Sequence, residues 1–85
     1  MKFNFHSDPG HGWVKVPRKL LIELEIADKI SQCSYQYGNF VYLEEDRDAG
    51  LFIRAMDEHN KPYSFKEHCC KMRYSPIRNY DSYQP

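Results

Sequence analysis

Two imidazoles and one carboxylate lie close together in a short segment near the start of the 85-residue chain, at His6, Asp8 and His11. Such a set can ligate a divalent metal, or supply a base and the acid that orients it. A zinc site needs three or four ligands, so another part of the chain would have to contribute. The other interpretation is a turn built by Asp8-Pro9-Gly10, with the histidines flanking it. Both interpretations stay open.

Three cysteines offer thiol chemistry, at Cys33, Cys69 and Cys70. An odd number with two adjacent is a poor disulfide framework, and no C-x-x-C pair occurs. Neighbouring residues of a strand point to opposite faces of the sheet, so the adjacent pair would not easily share a metal. We expect reduced thiols, one of the adjacent pair buried and the other exposed, and no bound cofactor.

Motifs for nucleophilic catalysis and for phosphate binding are missing from the sequence. No G-x-S-x-G, Walker A or G-x-G-x-x-G pattern occurs, and Gly10-x-Gly12 precedes a predicted strand instead of a helix. A chain of this length has little material for a deep pocket. We therefore predict that the protein is not an enzyme.

An acidic run is the first of two candidate contact surfaces. It comprises Glu44, Glu45, Asp46 and Asp48. Four carboxylates so close together could meet a basic partner and steer its approach. They could also cap the helix that follows and remain solvated, because acids complement the positive end of a helix dipole.

A group of tyrosines and arginines is the second candidate surface, and its composition is that of an interface hot spot. The same residues could stack on single-stranded bases, although 12 basic and 12 acidic residues give zero net charge, which weighs against nucleic acid. The alternative is core packing for the first two tyrosines and a loose tail for the others. The members are Tyr35, Tyr37, Arg73, Tyr74, Arg78, Tyr80 and Tyr83.

The elements that must position these residues follow from the apolar periodicity. Period-2 alternation predicts strands, and one hairpin turns at Gly38-Asn39. Helical spacing predicts a helix from Pro17 to about Glu25 and a second one that Asp46 or Asp48 caps and Asn60 ends. The order is β-β-α-β-β-α-β. We predict an α+β fold, a mostly antiparallel sheet of about five strands with two helices on one face.

Residues 1–70 are expected to form a single compact domain, with residues 71–85 as a C-terminal tail that is partly ordered or contacts a partner. A hydrophobic content of 41%, with 15% aromatics, is sufficient for a folded domain. No apolar run approaches the ~20 residues of a membrane span, and Met1–His6 lacks the apolar region of a secretory signal. These features favour a cytoplasmic protein, monomeric or a small homo-oligomer.

Several segments resemble small accessory proteins of phages, plasmids and other bacterial mobile elements. They are His6–Trp13, Val16–Arg18, Ile26–Ser31 and Tyr42–Asp46, so the resemblance covers most of the chain up to about residue 55. It implies a bacterial host cell and a small, cofactor-free binder that blocks or redirects a host machine. Anti-CRISPR proteins are one such class. The resemblance transfers no catalytic residue.

Three functional hypotheses follow. The leading one is a non-enzymatic binder of a host protein or nucleoprotein complex, inhibiting a defence system such as CRISPR–Cas through its acidic or tyrosine-rich face. The second is a direct nucleic-acid binder that uses Lys71, Arg73, Arg78 and the tail tyrosines. The third is a metal-binding domain built on His6, Asp8 and His11.

Overall fold

The two predicted hairpins are confirmed in the computed structural model, which describes residues 1–70 and 75–85. Strand β1 (Lys2–Ser7) pairs with β2 (Gly12–Pro17), and β3 (Tyr35–Tyr37) pairs with β4 (Phe40–Glu44), both antiparallel. The second hairpin turns at Gly38, whose φ of 59° lies in the left-handed region that favours glycine.

The first hairpin also depends on a glycine, for reasons of space. A Cβ at Gly12 would lie 2.5 Å from Cζ of Phe5, which is closer than any real Cβ contact. Phe5 lies beside it because β1 and β2 pair directly. The small residue lets the two strands and the aromatic ring stay in contact.

The sheet differs in detail from the predicted one. It has six strands over the described residues, in the order β5-β1-β2-β4-β3-β6, where β5 is Ser64–Cys69 and β6 is Asp81–Ser82. β5 pairs in parallel with β1, and the other pairs are antiparallel. The sheet is therefore mixed, because the chain crosses over through a helix before adding β5. The sixth strand lies within residues 71–85, which the sequence predicts as a C-terminal tail.

Two helices cover one face of this sheet. Helix α1 spans Arg18–Glu23 and α2 spans Asp48–Glu58. Both contribute to one hydrophobic cluster with strand residues that alternate onto the same face. Its members include Val14, Val16, Leu21, Val41, Leu43, Phe52 and Met56.

The helix ends have identifiable causes. Pro17 is the N-cap of α1, just before the helix, where its missing N–H is harmless. The chain leaves that helix through Glu25 at φ 59°, and a 3-10 turn (Ala27–Lys29) follows. Asn60 adopts φ 54° after α2, as the sequence predicts for a residue ending this helix.

The C-terminal segment packs against the domain over its described part, residues 75–85. A 3-10 turn (Pro76–Asn79) leads into β6, which pairs with β3. The Tyr83 side chain is 1% exposed in the main core, and its hydroxyl donates to the Ala27 carbonyl. Burial raises the pKa of Tyr83. On the face of the sheet away from the helices, Ile77 of this segment packs with Trp13 and Tyr42.

Candidate binding surface

Aromatic side chains dominate the second face of the sheet. Strand alternation places Trp13 on the face opposite Val14, and register places Tyr42 beside Tyr35. The Trp13 and Tyr35 rings meet edge-on with centroids 6.2 Å apart. Tyr80 from the C-terminal segment lies 5.1 Å from Tyr42. Trp13, Tyr42 and Ile77 form a second small core, separate from the one beneath the helices.

A buried carboxylate fastens the C-terminal segment to this face. The Asp8 oxygens accept hydrogen bonds from Arg78 Nε and Nη2 at 2.7 and 2.8 Å and from the Ser75 N–H at 2.8 Å. The Gly10 and His11 N–H groups also donate to Asp8, at 2.9 and 3.0 Å. The Arg78 guanidinium holds the pKa of the Asp8 carboxyl well below its usual range, and the backbone donors act in the same direction.

An open cavity of about 600 Å³ lies on the same face. This volume falls within the usual size range of ligand sites. Its wall combines rings, acids and guanidinium groups, and includes Trp13, Tyr35, Glu44, Asp46, Arg47 and Arg78. The Trp13 indole N–H is buried and has no acceptor among the described residues.

The acidic candidates divide into a surface group and a buried one. Glu45 and Asp46 are exposed and Glu44 is half-buried. Asp48 is 3% exposed, and its oxygens accept from the Ser31 hydroxyl at 2.7 Å and the Ser34 hydroxyl at 2.5 Å. Asp48 therefore joins the start of α2 to the loop before β3, and it does not contribute to a contact surface.

The tyrosine candidates come together around the cavity and beside it, apart from Tyr83, which is buried in the main core. The Tyr37 side chain is 64% exposed, and its ring centroid lies 4.7 Å from that of Tyr80. Tyr35 and Arg78 line the cavity itself. Burial and the adjacent Tyr80 raise the pKa of the Tyr42 hydroxyl. The remaining candidates of this group, Arg73 and Tyr74, lie outside the described residues, as does Lys71.

The three residues proposed from sequence as a metal set do not share a site. Asp8 is occupied by Arg78 and backbone N–H groups, and the His6 ring stacks on His68 with centroids 5.1 Å apart. Burial, the neighbouring His68 and Lys15 all lower the pKa of His6.

The third of these residues, His11, lies beside two acidic side chains of another segment. Its Nδ1 lies 3.5 Å from Oε1 of Glu44. Over the described residues, the group of potential ligands with atoms within 4.8 Å of one another is His11, Glu44 and Asp46. Sequence reasoning missed this grouping because it depends on β2 pairing with β4, which brings Gly12 next to Glu45.

The cysteines are free thiols. Cys33 and Cys69 are exposed, and Cys70 is half-buried, so the adjacent pair is less unequal than the sequence predicts. Cys33 lines the cavity, and Arg47 Nη1 lies 3.3 Å from its sulfur.

Comparisons with known proteins do not indicate a function, so the fold and this surface are the guides to it. No protein-family model matches the chain, and the searches of curated proteins and of solved structures give no match either. Across the described ranges, no helix combines the length and apolarity needed to cross a bilayer.

We use the name aromatic–acidic surface for the exposed and half-buried side chains in and around the cavity. They lie on β3, β4, the loop after β4 and the C-terminal segment. The surface comprises Tyr35, Tyr37, Glu44, Asp46 and Tyr80.

Proposed function

We propose that the protein is a non-enzymatic binding module that docks onto a partner protein through the aromatic–acidic surface. One observation carries this proposal. The acids and tyrosines, which are separate alternatives in the sequence, share one face, and Tyr35, Glu44 and Asp46 line the same cavity. Aromatic anchors beside a charged rim are the usual anatomy of an interface hot spot.

The charges of this surface favour a partner with basic side chains. Glu44 and Asp46 contribute two carboxylates to the surface, and Arg78 is matched by the buried Asp8. A lysine or arginine of the partner could pair with these acids and lay its stem or guanidinium against Tyr35. The acids also repel phosphates, so nucleic acid is the less favoured ligand of this surface.

The biological setting that we propose comes from the resemblance to accessory proteins of mobile elements. In that setting the partner is a component of a bacterial defence complex, such as a CRISPR–Cas effector, and binding blocks its action. The small size of the domain is compatible with this role, since a typical interface covers about 800 Å² per partner.

The test is affinity capture of a partner by two pairs of matched variants. Tyr37→Ala removes a side chain that is 64% exposed on the surface, and Ile22→Ala removes one that is 61% exposed on α1. Asp46→Asn removes an exposed acid of the surface. Its control is Asp57→Asn on α2, where the acid is also exposed.

We expect bacterial lysate to yield one stoichiometric partner protein with the wild type and both controls. Each surface variant should weaken that capture by about tenfold or more, as hot-spot truncation does. Nuclease treatment should leave capture intact. Capture that is lost with nuclease would favour the nucleic-acid alternative, and capture that only the control variants on α1 and α2 reduce would exclude this surface.

A further inference from the structure

We propose that His11, Glu44 and Asp46 form a binding site for a divalent first-row transition metal such as Zn²⁺, at the cavity of the aromatic–acidic surface. The three potential ligand atoms, one from each residue, lie within 4.8 Å of one another. All three residues line the cavity. This assignment concerns the protein alone and is tested without the proposed partner; Glu44 and Asp46 serve either the ion or a basic partner, so the two ligands compete for them.

The chemistry of the set suits a metal of this class. An imidazole nitrogen and two carboxylate oxygens are among the ligands that zinc takes in proteins. The two carboxylates balance the charge of a divalent ion. The imidazole favours zinc, nickel or copper over Mg²⁺ and Ca²⁺, which prefer ligands composed of oxygen alone.

The separations are close to those that coordination requires. Bonds of about 2.0–2.2 Å to a tetrahedral ion place neighbouring ligand atoms about 3.3–3.6 Å apart. His11 Nδ1 and Glu44 Oε1 are already 3.5 Å apart. No separation within the group exceeds 4.8 Å, so none has to close by more than about 1.2–1.5 Å, which rotation of an exposed carboxylate can provide.

The sheet itself fixes two of the three ligands relative to each other. Trp13 and Glu44 are direct partners in the β2–β4 pairing, and the Glu45 N–H donates to the Gly12 carbonyl at 2.9 Å. The residue before Gly12 is therefore held beside the end of β4. Placing part of a site on paired strands reduces the ordering that binding requires.

A second observation is a buried hydrogen-bond donor in the wall of the same cavity. Trp13 also lines the cavity, and its buried indole N–H has no acceptor among the described residues. Buried donors of this kind are rare in folded proteins. Ligands of a metal usually accept hydrogen bonds from surrounding donors, so the indole is a candidate for that supporting role.

Calorimetric titration of the purified full-length protein with ZnCl₂ tests the site. His11→Gln, Glu44→Gln and Asp46→Asn each remove one ligand. His68→Gln is the matched histidine control, because His68 stacks on His6 in the other pair of imidazoles. Asp57→Asn on α2 is the carboxylate control, and thermal unfolding without zinc checks that every variant folds.

We expect one zinc ion per wild-type chain and an unchanged affinity in both controls. Each ligand variant should bind at least about tenfold more weakly, since even outer-sphere changes cost that much at metal sites. Zinc should also raise the unfolding temperature of the wild type and not that of His11→Gln.

Three results would overturn the assignment. The first is no heat of binding at millimolar zinc. The second is an affinity that falls with His68→Gln and not with His11→Gln. The third is an affinity that depends on His11 alone, because a single surface imidazole is not a site. If Glu44→Gln fails to fold, the exposed pair His11 and Asp46 still decides among these results.

Discussion

The two faces of the sheet are covered by different amounts and kinds of chain. Helices α1 and α2 cover one face, and the side chains between them are aliphatic or phenyl groups such as Leu21, Leu43 and Phe52, each 0% exposed. On the other face the 3-10 turn of the C-terminal segment packs through Ile77, and this face carries tyrosines, acids and an open cavity. The same strands build both faces, because alternate residues point in opposite directions.

The helices and the C-terminal segment are also held to the sheet by different forces. Apolar burial holds the helices against the sheet. The rings of Phe3 and Phe52 meet edge to face there, with their centroids 5.2 Å apart. A buried ion pair between Asp8 and Arg78, together with aromatic contacts, holds the C-terminal segment. The side chains of one face therefore serve the stability of the fold, and the other face retains polar groups that can contact a ligand. The following experiments distinguish the role of each face.

The largest effect on stability is expected from the helix face. Phe52→Ala removes a side chain with no exposed area and should lower the free energy of unfolding by about 3–5 kcal/mol. Urea denaturation measures this loss. Arg54→Ala, an exposed change on the same helix, should shift it by no more than about 0.5 kcal/mol. Equal losses in the two variants would contradict the assigned core.

A smaller loss of stability is expected when the contacts that hold the C-terminal segment to the second face are removed. Asp8→Ala removes the ion pair with Arg78 and the acceptor of three backbone N–H groups, which should cost about 2–3 kcal/mol. Glu67→Ala, an exposed acid on β5, is the control. Hydrogen exchange should become faster in residues 75–85 of Asp8→Ala, while the core of α2 stays protected.

The same carboxylate sets the acid sensitivity of the fold. Its pKa is lowered in the folded state, chiefly by Arg78, from a reference value near 3.9 in the unfolded chain. The stability that it contributes is therefore present above about pH 4 and is lost as the pH falls toward the lowered pKa. Asp8→Asn should flatten this part of the profile of unfolding free energy against pH. An unchanged profile would mean that other acids dominate.

A weaker pH dependence is expected near neutrality from the stacked histidines. Burial, His68 and Lys15 lower the pKa of His6, so the folded state favours the neutral ring. The unfolded chain binds more protons, and stability should therefore decrease as the pH falls through about 6.5. Urea denaturation at pH 7.5 and 5.5 measures the difference. His6→Gln should reduce it, and His59→Gln, an exposed control, should not.

The smallest effect on stability is expected on the exposed part of the aromatic–acidic surface. Tyr37→Ala should change the free energy of unfolding by no more than about 0.5–1 kcal/mol, because the side chain is 64% exposed and contacts Tyr80 on one side. Its effect should appear in partner capture instead. A loss as large as that of Phe52→Ala would make Tyr37 a structural residue.

Local patterns were sufficient for much of the fold. Alternation at Phe3 and Phe5 and the Gly38-Asn39 turn predict the hairpins, and Asn60 correctly ends α2. Such features depend on neighbours in sequence, where propensity and periodicity act directly. The parallel pairing of β5 with β1 was not predictable in this way, because it joins segments about 60 residues apart with no turn between them.

The site was harder to predict because it is built from distant segments. The acids and tyrosines were recognised as types of residue, but their shared cavity depends on strand order and on the C-terminal segment. Asp48 could not be distinguished from Asp46 by sequence, since its burial follows from hydroxyls at Ser31 and Ser34. The pairing of Asp8 with Arg78 spans 70 residues and has no local signal.

Hydrogen–deuterium exchange of the protein with and without its captured partner tests the central claim most directly. Binding should slow exchange in residues 35–46 and 75–85, which carry the aromatic–acidic surface, and leave α1 and α2 unchanged. Protection confined to the helices, with residues 35–46 unaffected, would contradict the assignment of binding to this face.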